Sequence, residues 1–121
     1  VIWEYQATLV RVVDGDTVDL RIDLGFRTYI QIRARLLGVD TPEVYGVKHS
    51  SEEYAQGKLA SAFTEKWFEK QGEVVRVVSH KGTGKYGWWL VEITPTEPEE
   101  GERYLSLNQV LLEAGHASPV E

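Results

Sequence analysis

Apolar and polar residues change period several times along the chain, and each change marks an element. Thr8 to Val13 is apolar and β-branched apart from Leu9 and Arg11, and runs into Asp14-Gly15-Asp16-Thr17, where Asp-Gly is a strong turn signal. Val18-Asp-Leu-Arg-Ile-Asp-Leu24 then alternates without a fault, the period of a strand with one buried face, until Gly25 breaks it. Ile30, Ile32, Ala34 and Leu36 alternate against Gln31, Arg33 and Arg35, which puts both arginines on the face opposite the aliphatic side chains. These three runs predict a three-stranded meander.

Periodicity fades from Gly38 to Ser51, a stretch with Pro42 that reads as a long loop of the kind that often carries function. Ser50 with Glu53 fits a capping box, and Ala55, Leu59, Ala62, Phe63 and Trp67 follow at helical spacing up to Gln71-Gly72. Val74 to Val78 and Gly87 to Thr94 read as strands joined by a glycine-bearing connection. Ser106 can cap a last helix whose Leu107, Val110, Leu111 and Ala114 precede Gly115. Five strands, with one helix between the third and fourth and another after the fifth, match a Greek-key oligonucleotide-binding barrel, a five-stranded β-barrel with helices in the α+β class. The expected organisation is one domain over 1–121, with loose termini at 1–6 and 118–121 and an acidic surface loop at 95–103. Fold alone says nothing about activity.

Composition changes this picture little. The chain has 121 residues, 42% hydrophobic and 26% charged, with 4 Trp and 6 Tyr, which is ordinary globular usage. No apolar run reaches the roughly 20 residues of a membrane helix, so the chain reads as soluble and without membrane partners, and a monomer is the expected state. Val1 is not an initiator Met, so the compartment, secreted or cytoplasmic, stays unassigned. The absence of Cys removes disulfides and thiolate metal sites. A formal charge of -6 is unusual for a nucleic-acid binder, yet Glu97, Glu99, Glu100 and Glu102 supply most of the excess from one short segment.

Candidate chemistry lies in five segments: Val13-Asp-Gly-Asp-Thr-Val18, Arg35-Leu-Leu-Gly-Val-Asp-Thr-Pro-Glu43, Ala62-Phe-Thr64, Lys85-Tyr-Gly87 and Leu107-Asn-Gln-Val-Leu-Leu-Glu-Ala-Gly115. In order and spacing they resemble staphylococcal nuclease and its relatives, a likeness that runs from about Thr8 to Ala117. The resemblance implies a calcium-dependent nuclease acting on phosphodiester bonds in DNA or RNA, single strands more than duplexes. It implies Asp16 and Asp40 as carboxylate ligands of Ca2+, completed by the Thr41 backbone carbonyl and water, an oxygen shell suited to a hard cation. Glu43 would orient or deprotonate the attacking water. Arg35 would bind the phosphate with its guanidinium fork. Lys85 and Tyr86 would contact the nucleotide's phosphate and sugar, and Lys81, in the same loop, could add phosphate attraction. Asp14 reads as a turn residue or a support for the ligands, Arg33 as surface, and His49 and His80 as loop decoration.

Two departures bear on activity. Active relatives follow Lys-Tyr-Gly with an arginine, where this chain has Trp88, whose indole brings one neutral donor and no charge. Relatives also often continue with tyrosines that help form the nucleotide pocket, whereas this sequence stops at Glu121. The expectation is a slow nuclease. The alternative is a non-catalytic nucleic-acid-binding or protein-interaction module on the same fold.

Overall fold

The computed structural model describes residues 3–44, 46–83, 88–96 and 105–120, with the side chains of 81–83 excepted. The alternating segments form β1 (Trp3–Asp14), β2 (Thr17–Asp23) and β3 (Tyr29–Leu36), followed by the two-residue β4 (Val39–Asp40) and α1 (Glu52–Gln71). Then come β5 (Val74–Thr83), β6 (Trp89–Pro95), α2 (Leu107–Glu113) and the short β7 (Ser118–Pro119). Five strands close a barrel in the order β1-β2-β3-β6-β5, and β4 pairs separately with β7. The expected barrel is therefore the observed one.

Neighbouring strands run antiparallel except at the closure, where Ala34, Arg35 and Leu36 of β3 pair in parallel with Trp89, Leu90 and Val91 of β6. Inward positions of all five strands, among them Ala7, Leu20, Leu36, Val77 and Ile93, join Phe68 of α1 and Leu107 and Leu111 of α2 in one core. At roughly 1.5–3 kcal/mol for each fully buried aliphatic or aromatic side chain, this core is the main stabilising term. Residues 3–6, expected to be loose, extend β1, with Trp3 to Gln6 paired against Ser79 to Arg76 of β5. Likewise Ser118 and Pro119 pair with Asp40 and Val39. Most of the acidic loop expected at 95–103 lies outside the described residues, whereas Pro95 itself is buried at the end of β6.

Helix α1 starts one residue later than its sequence suggests. Ser51 is the N-cap, and its hydroxyl accepts from the Tyr54 backbone N–H. The buried face also differs. Gly57, Ala60, Thr64, Trp67 and Phe68 face inward, while Leu59 is 54% exposed and Ala55 and Ala62 lie outward. The reason is steric, because small residues are required where the helix meets two loops, as described below. Helix α2 carries the capping box of Ser106 and Gln109.

The parallel closure is held by a buried side chain. Asn108 Nδ2 donates to the Leu37 and Val91 carbonyls at 2.9 and 3.1 Å, and its Oδ1 accepts from Ile93 N at 3.2 Å. Asn108→Leu removes all three bonds and strands buried backbone groups, so a loss of about 3 kcal/mol is expected in urea unfolding.

Candidate active site

The turn after β1 and the loop after β4 meet at the same end of the barrel because both rest on α1. Thr64 Oγ1 donates to the Gly15 carbonyl at 2.7 Å, which ties the Asp14–Asp16 turn to the helix. A Cβ on Gly15 would stand 2.8 Å from Ala60 Cβ and 2.9 Å from Thr41 Cγ2, so only glycine lets the turn approach both. A Cβ on Gly57 would meet the Pro42 and Glu43 carbonyls at 2.7 and 2.9 Å, so the second loop depends on a glycine in the same way. A shift of register in β1 between Val12 and Asp14 bends the strand just ahead of the turn.

This brings Asp16 and Asp40 together. Asp16, 6% exposed, accepts from Thr17 Oγ1 at 2.9 Å and from the Thr41 backbone N–H at 3.2 Å. Arg35 Nη2 donates to Asp40 Oδ1 at 3.0 Å and lies 3.6 Å from Asp16 Oδ2, so one guanidinium nitrogen touches both carboxylates. Glu43 stands on the ridge between two clefts of about 500 Å³ each. One is lined with Arg11, Asp14, Asp16, Arg33, Arg35 and Trp88. The other is lined with Asp40, Thr41, Glu52, Glu53 and His116.

Negative charge accumulates here. Burial, then Asp16 and Asp40, raise the Glu43 carboxyl above its ordinary range, and Arg35 opposes them. Asp14 is pushed up to about 6, first by burial and then by Asp16 and Glu43, and its Oδ1 is buried without a hydrogen-bond partner. A cation would relieve this repulsion, and the donors are all oxygen, which fits a hard divalent ion. Among the described residues there is no group of three or more His, Cys, Asp or Glu side chains set to hold a metal. The fit therefore rests on two carboxylates supplemented by backbone and water oxygens.

The raised Asp14 carboxyl has a pH signature. The folded chain keeps its proton to about pH 6 and the unfolded chain only to about 3.8. Its contribution to stability is thus full below 3.8 and lost as pH rises through 6. Asp14→Asn is expected to stabilise the protein at pH 7.5 in calcium-free buffer by on the order of 1 kcal/mol after allowance for solvent screening. The gain should disappear near pH 4 in thermal unfolding.

Of the residues singled out in the sequence, Asp16, Asp40, Thr41, Glu43 and Arg35 lie together, with Asp14 beside them. Lys85 and Tyr86 fall outside the described residues, as does the side chain of Lys81 in β5. Trp88 lines the cleft with Arg35, whereas its neighbour Trp89 lines an apolar cavity at the barrel mouth with Trp3, Ile22 and Ile30. His80 faces Glu92 at 3.2 Å and His49 stacks on Tyr54. Arg33 is not plain surface. Its Nε and Nη2 reach Asp19 at 2.8 and 3.2 Å, and its Cζ lies 5.5 Å from the Trp88 ring centroid. Opposite charges at facing positions of β2 and β3 were the available sequence signal, but it required the register. A family model described as staphylococcal nuclease homologue matches residues 33–121 of the chain.

Proposed function

Since the chain belongs to the staphylococcal nuclease homologue family, we propose that it is a calcium-dependent nuclease. It hydrolyses phosphodiester bonds in DNA or RNA, favours single strands, acts as a monomer and is slowed by Trp88. The observation that carries this reading is the meeting of Asp16, Asp40 and Glu43 around the Arg35 guanidinium. Side chains of this kind serve phosphodiester hydrolysis, and the raised Glu43 carboxyl is poised closer to neutral pH than an ordinary glutamate.

In this mechanism Asp16 and Asp40, with the Thr41 carbonyl, would hold a calcium ion, which would supply positive charge to the phosphodiester site. Glu43 accepts a proton from the water that attacks phosphorus, and the bond to the leaving oxygen breaks as the new P–O bond forms. Arg35 donates to the non-bridging oxygens, where negative charge is held in the transition state. Among the described residues its bonds to the carboxylates run from Nη2, which leaves the Nε and Nη1 donors for phosphate. Asp14 lies beside Asp16 and supports the charge of the site.

The expected result is calcium-dependent release of acid-soluble nucleotides from denatured DNA, abolished by EDTA. A second reading, a non-catalytic module that binds nucleic acid or protein, is favoured by Trp88, which stands where an arginine is expected. Under that reading no nucleotide is released at any enzyme concentration, while strand binding weakens with salt if phosphate contacts dominate.

A further inference from the structure

The cleft that holds Arg35 contains a second ordered guanidinium. Arg33 and Arg35 are two positions apart on the same face of β3 and line one cleft with Arg11 of β1. Asp19 of β2, only 8% exposed, lies across from Arg33 of β3 and from Arg11 of β1. Its carboxylate takes Nε and Nη2 of Arg33 at 2.8 and 3.2 Å, a two-point contact that fixes the plane of the guanidinium. Trp88 then stands over Arg33 at 5.5 Å, within the range where an indole attracts a cation. The two neighbours order the long side chain before any ligand arrives, which lowers the entropic cost of binding an anion. In a chain of formal charge -6, this cleft sets three arginines beside its three carboxylates, Asp14, Asp16 and Glu43.

We propose that Arg33 is a phosphate-binding residue of this cleft, positioned by Asp19 and Trp88, which takes the phosphodiester neighbouring the one held by Arg35. Two positions along a strand separate Arg33 from Arg35 by about 6.6 Å. The Asp19 clamp also keeps Arg33 from swinging to the phosphate held by Arg35. Trp88 thus orders a binding guanidinium without supplying the one that active relatives place on the reacting phosphate. Arg33 therefore contributes to strand affinity and KM and leaves kcat nearly unchanged. The ligand class is a single-stranded polynucleotide that spans at least two phosphates, and the inference rests on the phosphodiester reading of the cleft.

The test is fluorescence anisotropy of a labelled oligothymidylate of about ten nucleotides, titrated in EDTA over a range of NaCl. Arg33→Gln should weaken binding severalfold and reduce the slope of log affinity against log salt by about 0.7, the value for one phosphate contact on a single strand. Asp19→Asn removes the carboxylate charge but keeps a side-chain oxygen that accepts from Arg33, so the cation stays positioned and should bind at least as tightly as wild type with an unreduced slope. A purely structural role for Arg33 predicts that both variants weaken alike, and that result overturns the inference. So does an Arg33→Gln protein that matches wild type in affinity and slope. If wild type binds no strand at any salt, the inference fails, while calcium-dependent nucleotide release from denatured DNA decides the phosphodiester reading separately.

Discussion

Glu43→Gln is expected to reduce calcium-dependent cleavage by at least about 100-fold, the lower bound for loss of a positioned general base. Glutamine keeps the size of the side chain and its hydrogen-bonding reach but cannot accept the proton of the attacking water. Because Glu43 is exposed and its neutralisation relieves repulsion from Asp16 and Asp40, its replacement should not lower the unfolding midpoint, so lost activity is a chemical effect. The same variant separates the site from a contaminating nuclease, whose release of nucleotides would persist. A further consequence follows from the raised Glu43 carboxyl. Protonation on acidification removes one negative charge beside Asp16 and Asp40. Calcium affinity measured by calorimetry should therefore fall more steeply toward low pH in wild type than in Glu43→Gln. Equal profiles would place Glu43 too far from the cation to act on water beside it.

Trp88→Arg is expected to raise kcat by at least about ten-fold, toward the roughly 100 to 1,000-fold attributed to a single donor in a transition-state anion site. Trp88 already lines the cleft with Asp16, Arg35 and Glu43, so a guanidinium placed there has only a side chain's length to travel. The substitution also removes the ring that faces Arg33, and some loss of strand affinity should accompany the faster turnover. The gain should vanish when Glu43→Gln is added, because the new arginine works on the same reaction. An unchanged kcat would show that the deficit lies elsewhere in the cleft.

Much of this architecture is legible in the sequence because it depends on local rules. Period-two alternation defines the faces of β2 and β3, the Asp-Gly turn joins β1 to β2, Ser106 begins α2, and Gly72, at φ +94°, ends α1. The carboxylates and Arg35 are singled out through the resemblance of their motifs to staphylococcal nuclease and its relatives, since taken alone each motif reads as a turn, a loop or a solvated strand arginine. Long-range contacts alone decided the rest. Hydrophobic spacing points to Ala55, Leu59 and Ala62 as the inner face of α1, yet the helix turns Gly57, Ala60 and Thr64 inward. Close approach of the Asp14–Asp16 turn and the Pro42–Val44 loop demands the smallest side chains there, a steric requirement that hydropathy does not register. The partnership of Arg33 with Asp19 and Trp88 likewise depends on register across three strands. Asn108 looks like an ordinary polar helix residue until barrel closure buries it against backbone groups of Leu37, Val91 and Ile93. Local sequence determined the elements and the chemical groups, and tertiary packing decided which of those groups meet, because contact between distant segments depends on shape and register that no local pattern encodes.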